Sequence, residues 1–206
     1  MIDKIGLLGS GGQADEAESF FDGEVAFRAV SKEYLDDIAT VDIREPSDDE
    51  RRSPVCAAVG APALKVKLLE EWPGTSYQSI ISERAYVDDS AEVGEGSIIA
   101  PNAVITTNVK IGRHVIINVA ASLQHNTEVG DFVSIGPGAH VAGNVVIGDG
   151  VYVGIGAVIS NGVKISDGAV IGAGATLLKD ADTENGVYVG VPARLIKTNE
   201  GWLREI

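Results

Sequence analysis

Aliphatic residues recur at an unbroken interval of six along half of this chain, from Ile81, Val87, Val93 and Ile99 through to Ile159, Ile165, Ile171 and Leu177, seventeen in all. Neither a helical period nor the two-residue period of a strand generates this spacing. The position four after each repeat residue is also restricted, reading Ala85, Ala91, Ser97, Ala103 and Val109 near the start and Ala157, Val163, Ala169 and Ala175 near the end. None of these side chains is larger than valine. Glycine often follows the aliphatic residue directly, as at Gly94, Gly112, Gly130, Gly136, Gly148, Gly154 and Gly172. A backbone without Cβ can make the sharp bend between short strands there.

Hexapeptides of this kind are the signature of a parallel β-helix. Each unit forms one flat side of a triangular coil, with the branched chain pointing inward and the small residue filling the corner. Coils then stack at roughly the 4.8 Å ladder spacing, and every inward residue lies above its equivalent. The expected fold class is therefore mainly β, a parallel β-helix preceded by a small α/β unit. The expected boundaries are 1–80 for the α/β unit, 81–180 for the coil and 181–206 for a tail that caps the open end.

The amino-terminal texture supports that division. Ile2 to Leu8 is a short apolar run, followed by Gly9-Ser10-Gly11-Gly12-Gln13 and a helical segment from Ala14 to Phe21. Further apolar stretches run from Val25 to Val30 and from Val55 to Val59. The latter leads into an amphipathic segment, Ala63 to Trp72, with Leu64, Leu68, Leu69 and Trp72 near helical spacing. The polar stretch Asp42 to Pro54 reads as a loop. After Leu177 a charged break with Asp180, Asp182 and Glu184 precedes Val187 to Pro192.

Composition bounds the function classes. A net charge of −14 argues against nucleic acid or an anionic membrane surface as partner, since both require basic patches. Cys56 is the single cysteine, set in an apolar run, so it reads as a buried thiol of a reduced, cytoplasmic protein. Neither a signal-like start nor an eighteen-residue apolar span is present.

Two places carry possible chemistry. The Gly9 to Gln13 turn ahead of a helix could cradle a phosphate on free backbone amides, although a tight turn needs glycine in any case. Ala14 stands where a dinucleotide fingerprint would need its third glycine, which disfavours a nicotinamide cofactor. Within the repeats, Asn118 and His125 stand at outward positions that a regular scaffold leaves free. A solvent-facing histidine can take a proton from an attacking amine or hydroxyl. His114 and His140 read as solvated side chains.

At these residues the chain resembles the hexapeptide-repeat sugar acyltransferases, including the bacillosamine, perosamine and sialic acid acetyltransferases. The resemblance rests on Leu8-Gly9-Ser10-Gly11-Gly12, Ile117-Asn118 with Gln124-His125, Gly138-Ala139 with Ala142-Gly143-Asn144-Val145, Ile171 to Ala175, and Val187 to Ala193. It implies a left-handed coil, a homotrimer with sites between subunits, acetyl-CoA as donor, no metal, and an amino-terminal domain that holds a nucleotide-linked amino sugar. Polysaccharide biosynthesis is the implied setting.

Carried over residue by residue, His125 matches the catalytic base and Asn118 a polar contact to the acceptor, joined by Gly9, Ser10, Gly11, Gly12, Gln13 and Ser134. Gly143 matches the glycine whose amide holds the thioester oxygen. Ile155, Ala173, Val191 and Pro192, with Gly143, match the coenzyme track. The sequence departs from the pattern in three places. Asn126 replaces the acidic residue that usually follows the histidine, and its amide oxygen can orient the ring without supplying charge. Ser134 stands where some relatives have a second histidine. Val30-Ser31-Lys32-Glu33 replaces the paired aspartates that usually meet the nucleotide. Transfer to a sugar hydroxyl, as in the sialic acid enzymes, and a non-catalytic binding coil are the alternatives.

Overall fold

A computed structural model describes residues 4–204; the expected starts and ends at Ile2 and Ile206 lie outside them. The first unit alternates strand and helix: β1 (Lys4–Leu8), α1 (Gly12–Ser19), β2 (Glu24–Val30), β3 (Val41–Asp42), α2 (Asp48–Arg52), β4 (Val55–Ala57) and α3 (Pro62–Glu71). The four strands form one parallel sheet in the order β3-β2-β1-β4.

Within the Asp42 to Pro54 stretch, read as a loop, the chain forms the short helix α2. Ser47 and Glu50 close a capping box, with Ser47 N–H donating to Glu50 Oε2 (2.6 Å) and Glu50 N–H to Ser47 Oγ (3.3 Å). The buried stripe of α3 also differs from expectation. Ala61, Lys65, Leu68 and Trp72 face inward, whereas Leu64 is exposed.

From Ile80 the chain winds a three-sided parallel β-helix of two-residue strands. One face stacks Ile80–Ile81, Ile98–Ile99, Ile116–Ile117, Ser134–Ile135, Tyr152–Val153 and Val170–Ile171; a second runs from Tyr86–Val87 to Thr176–Leu177, and a third from Glu92–Val93 to Lys164–Ile165. Pairing advances by one coil at each step, so Ile99, Ile117, Ile135, Val153 and Ile171 lie directly above one another. These aliphatics and the small residues at the corners make one continuous core.

The bend, however, is placed differently from the reading above. Left-handed φ values fall three residues after each aliphatic from Val93 to Ile171, at Asn102, Asn108, His114, Ala120, Asn126, Phe132 and Asn144 as well as at seven glycines from Gly96 to Gly174. The glycines directly after the aliphatics answer a different need, which is close approach between coils. A Cβ at Gly154 would stand 2.6 Å from the Ala173 nitrogen of the next coil.

The first face is not solvated. Its outward residues Ile80, Ile98 and Ile116 pack with Ile5, Leu7, Ala14, Ala17, Cys56 and Ala58 of the α/β unit. Burial of this apolar surface holds the two parts together. At the far end, strand Gly186–Val189 pairs with Val170–Ile171 and brings Tyr188 into the coil core, and Arg194–Thr198 folds back antiparallel on it. The tail then returns along the outside. Trp202 covers Gly150 and Gly168, and the Leu203 carbonyl accepts from Ala63 N–H at the start of α3 (3.1 Å).

Candidate active site

The candidate residues fall on two edges of the prism. The turn that follows Leu123, between the second and third faces, presents His125 and Asn126, both exposed. One coil further on, Gly143 lies beneath the imidazole: a Cβ there would meet His125 Cε1 at 2.4 Å and Nε2 at 2.6 Å. Gly143 O accepts from Gly162 N–H (3.0 Å), while the Gly143 N–H makes no hydrogen bond among the described residues. A free amide beside an imidazole is the pair that acyl transfer requires, one group to hold an oxyanion and one to take a proton.

Asn126 belongs to a column of asparagines at this edge. Asn108 Nδ2 donates to Asn126 Oδ1 (3.2 Å), Asn126 Nδ2 to Asn144 Oδ1 (3.3 Å), and Asn144 Nδ2 to Asn161 Oδ1 (3.3 Å). The Asn126 oxygen is thus engaged by the column, and its Nδ2 is the atom that faces His125 Nδ1, at 3.2 Å. Orientation of the ring through the amide oxygen, expected from the sequence, is replaced by orientation through the amide nitrogen.

The other edge, between the first and second faces, carries Asn118. Its Nδ2 donates to Gln13 Oε1 (3.2 Å) and its Oδ1 accepts from Val119 N–H (2.8 Å), so it ties the start of α1 to the coil. Around this contact lies a cleft of about 260 Å³ lined by Gln13, Glu16, Asn118, Ser134, Pro137 and Tyr152, among others. Gly11 is the residue ahead of α1, and its carbonyl accepts from Ala14 and Asp15 N–H, leaving the Gly12 and Gln13 amides without backbone partners. Nothing stands over Gly11 or Gly12, whereas Gly9, at φ +113°, is packed against Val59 and Ala58. Ser10 completes the turn. Ile155 and Ala173 are exposed on the same edge as Asn118, and Val191 protrudes at its end beside Pro192.

Within a single chain, therefore, Gln13, Asn118 and Ser134 are brought together, and His125 is brought to Gly143. The two groups are separated by the second face of the coil, whose outward side shows Tyr86, Val104, Ser122, His140 and Val158.

The other histidines divide. His140 is exposed, with Nδ1 2.9 Å from Ser122 Oγ. His114, read as a solvated side chain, is instead buried between Tyr77 (centroids 4.8 Å apart, edge-on) and Phe132 (5.5 Å, stacked). Burial, and then the nearby Lys65 charge, lower its pKa to about 4. Cys56 is fully buried, and burial pushes its thiol up to about 12. Lys65 is the site-adjacent residue that sequence reading missed. Among the described residues no group of three or more His, Cys, Asp or Glu could hold a metal, and no helix is long and apolar enough to cross a membrane.

Comparison with known proteins adds to this geometry. Residues 126–161 and 144–179 match the bacterial transferase hexapeptide (six repeats) family. No curated protein sequence matches the chain. Among solved structures, a mutant of the perosamine N-acetyltransferase of Caulobacter crescentus, in complex with CoA and GDP-perosamine, is similar over 96% of this chain and 98% of that one, with 25% identity and a TM-score of 0.86. The acetyltransferase domain of PglB from Neisseria gonorrhoeae, in complex with acetyl coenzyme A, is similar over 95% and 100% (25% identity, TM-score 0.82), and WeeI from Acinetobacter baumannii over 93% and 99% (28% identity, TM-score 0.79). The fold is thus the left-handed β-helix of these proteins, preceded by their α/β unit.

Proposed function

We propose that this chain, a hexapeptide-repeat acyltransferase of the left-handed β-helix kind, moves an acetyl group from acetyl-CoA to the amine of a nucleotide-linked amino sugar. The observation that carries the reading is the pairing of His125 with the free N–H of Gly143. The sugar amine attacks the thioester carbonyl, His125 accepts a proton, and the Gly143 amide holds the oxygen as the tetrahedral intermediate forms. Collapse releases CoA as the thiol, with no acyl-enzyme. One such donor is worth about 3 kcal/mol of barrier.

Acetyl-CoA is the donor in this reading. The open edge bearing Ile155, Ala173, Val191 and Pro192 would hold its pantetheine and adenine through backbone groups and apolar contact, consistent with the exposure of Ile155 and Val191. The acceptor enters the cleft at Gln13, Asn118 and Ser134, with the Gly12 and Gln13 amides at the start of α1 offered to its phosphates.

The split between the two edges supports a homotrimer, as the resemblance implies. One copy supplies His125 and Gly143, and a neighbour supplies the edge with Asn118 and Ile155. Apolar residues on the intervening second face, including exposed Tyr86, Val104 and Val158, support burial of that face between copies. In this reading the protein works in the cytoplasm, where acetyl-CoA and nucleotide sugars are supplied, and serves glycan or polysaccharide synthesis.

Thiol release with acetyl-CoA and a panel of nucleotide amino sugars tests the proposal. The His125→Ala variant is expected to lose roughly a hundredfold in rate, while retaining CoA binding by calorimetry. Acceptance of free sugars bearing only hydroxyls, with nucleotide amino sugars ignored, would move the assignment to O-acetylation; absence of CoA binding would remove the enzyme reading.

A further inference from the structure

Lys65 has no solvent exposure. Helix α3 projects it across the seam onto the first face of the coil. There the three N–H donors of its Nζ are shared among four acceptors, the carbonyls of His114 (2.8 Å), Val133 (3.3 Å) and Phe132 (3.4 Å) and Ser134 Oγ (3.1 Å). Burial lowers the Lys65 pKa to about 7; the ammonium form, which prevails below that pH, has donors only, and in it every one of these contacts has a fixed polarity.

That polarity passes to Ser134. The residue is 4% exposed and lines the cleft with Gln13, Asn118 and Tyr152. A hydroxyl has two acceptor lone pairs and one proton. Lys65 occupies a lone pair, and like polarity keeps the hydroxyl proton off the ammonium. The Ser134 hydroxyl makes no other hydrogen bond among the described residues, so its proton is left for the cleft. Gln13, on the opposite wall, has a buried Nε2 without a partner.

We infer that Lys65 is a positioning residue, which holds Ser134 as a hydrogen-bond donor into the cleft so that Ser134 and the Gln13 amide together recognise an oxygen acceptor on the bound sugar. The inference rests on the proposed function for its ligand. A ring oxygen, a carbonyl oxygen or a hydroxyl lone pair satisfies both donors, whereas an ammonium at this place meets two donors and is rejected. The arrangement sets the sugar's orientation and leaves the reacting amine to be presented elsewhere.

Steady-state kinetics of the intact protein with acetyl-CoA and its nucleotide amino sugar test this. The Ser134→Ala variant is expected to raise the acceptor KM about tenfold, the worth of one donor to the ligand, with kcat within about twofold. In Lys65→Met the Phe132 carbonyl loses its partner, while Val133 keeps the Ile116 N–H; the Ser134 hydroxyl, no longer held by Nζ, turns toward Phe132 and the acceptor KM rises by a similar factor. Combining the two changes adds nothing further to KM, although the Lys65 change lowers Tm in either background. A purely structural lysine would lower Tm and leave the KM pattern unmoved. An unchanged KM in Ser134→Ala, or effects of the two changes that multiply, overturns the inference. Should Lys65→Met fail to fold, Lys65→Gln takes its place, since its shorter amide serves a carbonyl and falls short of Ser134; the Ser134→Ala result decides by itself if neither folds. Absence of wild-type turnover with any nucleotide amino sugar would sink the proposed reaction instead. Atomic-resolution crystallography of wild type and the Lys65 variant then decides: a Ser134 Oγ that swings from Nζ to a carbonyl upholds the positioning role, and an unmoved Oγ ends it.

Discussion

The imidazole of His125 occupies the space that Gly143 leaves empty, since a Cβ at Gly143 would stand 2.4 Å from its Cε1. The φ of Gly143 is not in the left-handed region, so alanine is acceptable to the backbone there and only the ring must move. Gly143→Ala is expected to displace the imidazole from the amide it covers and cut kcat at least about tenfold. Because the ring that must move is exposed, Tm should stay within about 2 °C. Full turnover in this variant would show that the ring does not act from above Gly143.

Asn126 makes a second prediction. Its Oδ1 accepts from Asn108 and its Nδ2 faces His125 Nδ1. A ring that accepts at Nδ1 carries its proton on Nε2, the atom turned toward Gly143, and a base acting through Nε2 needs the opposite tautomer. Aspartate at 126 would accept from Nδ1–H, free Nε2 and stabilise the imidazolium. It also tolerates the φ of +59° found there. Asn126→Asp should therefore increase kcat by roughly severalfold and move the acidic limb of the pH–rate profile to higher pH. Loss of rate with an unmoved profile would show that the asparagine column, rather than proton transfer, governs the site.

Much of this architecture was legible in the repeats. The positions from Val87 to Leu177 and their small companions specify the coil because both sets point inward and each must match its neighbour one coil away, whereas Ile81 at the open end stays exposed. The left-handed corner was not legible, since Asn108, His114, Ala120 and Phe132 all accept it beside the glycines and no single letter marks the place. The α2 helix was missed although Ser47 and Glu50 carry a capping box, because its five residues have no buried face. Lys65 was hidden for a related reason. It sits in the inward stripe of α3 where periodicity favours an apolar residue, and only the carbonyls across the seam explain a cation there. His125 and Asn118 could be chosen from the sequence by resemblance, but their separation onto two edges is a property of the folded prism.

Cys56 is placed against any nucleophilic role. It lies on β4 against the coil, donates weakly to the Gly96 carbonyl at 3.4 Å, and burial raises its pKa to about 12. Little thiolate exists near neutrality. Cys56→Ala should keep kcat within about twofold and lower Tm by a few degrees through the small cavity left behind. Loss of all turnover from a folded Cys56→Ala protein would require a covalent intermediate and refute direct transfer.

Ile135 stands between Ile117 and Val153 in the stacked interior, with 1% exposure. Aspartate at this place would bury a charge that has no partner in an apolar column and would disturb the coils above and below. Ile135→Asp is expected to lower Tm by more than about 10 °C by calorimetry. An unaltered Tm would contradict the packing of the core.

His114 makes stability depend on pH. Its pKa is about 4 in the folded chain, against an ordinary 6.5, because burial and then the charge of Lys65 disfavour the imidazolium. Between these values the unfolded chain binds a proton that the folded chain does not, so acidification favours unfolding. The contribution is complete above about pH 6.5, declines as pH falls and is gone below about pH 4. Charged groups nearby include Lys65, Arg113 and Asp131, and the last opposes the shift without reversing it. Phenylalanine can replace this ring, since Phe132 holds the equivalent corner one coil later at φ +61° and already stacks on His114. His114→Phe should therefore flatten the fall in Tm between pH 7.5 and pH 5 that the wild type shows. Parallel Tm curves for the two proteins would mean that His114 is not the group whose proton is excluded by folding.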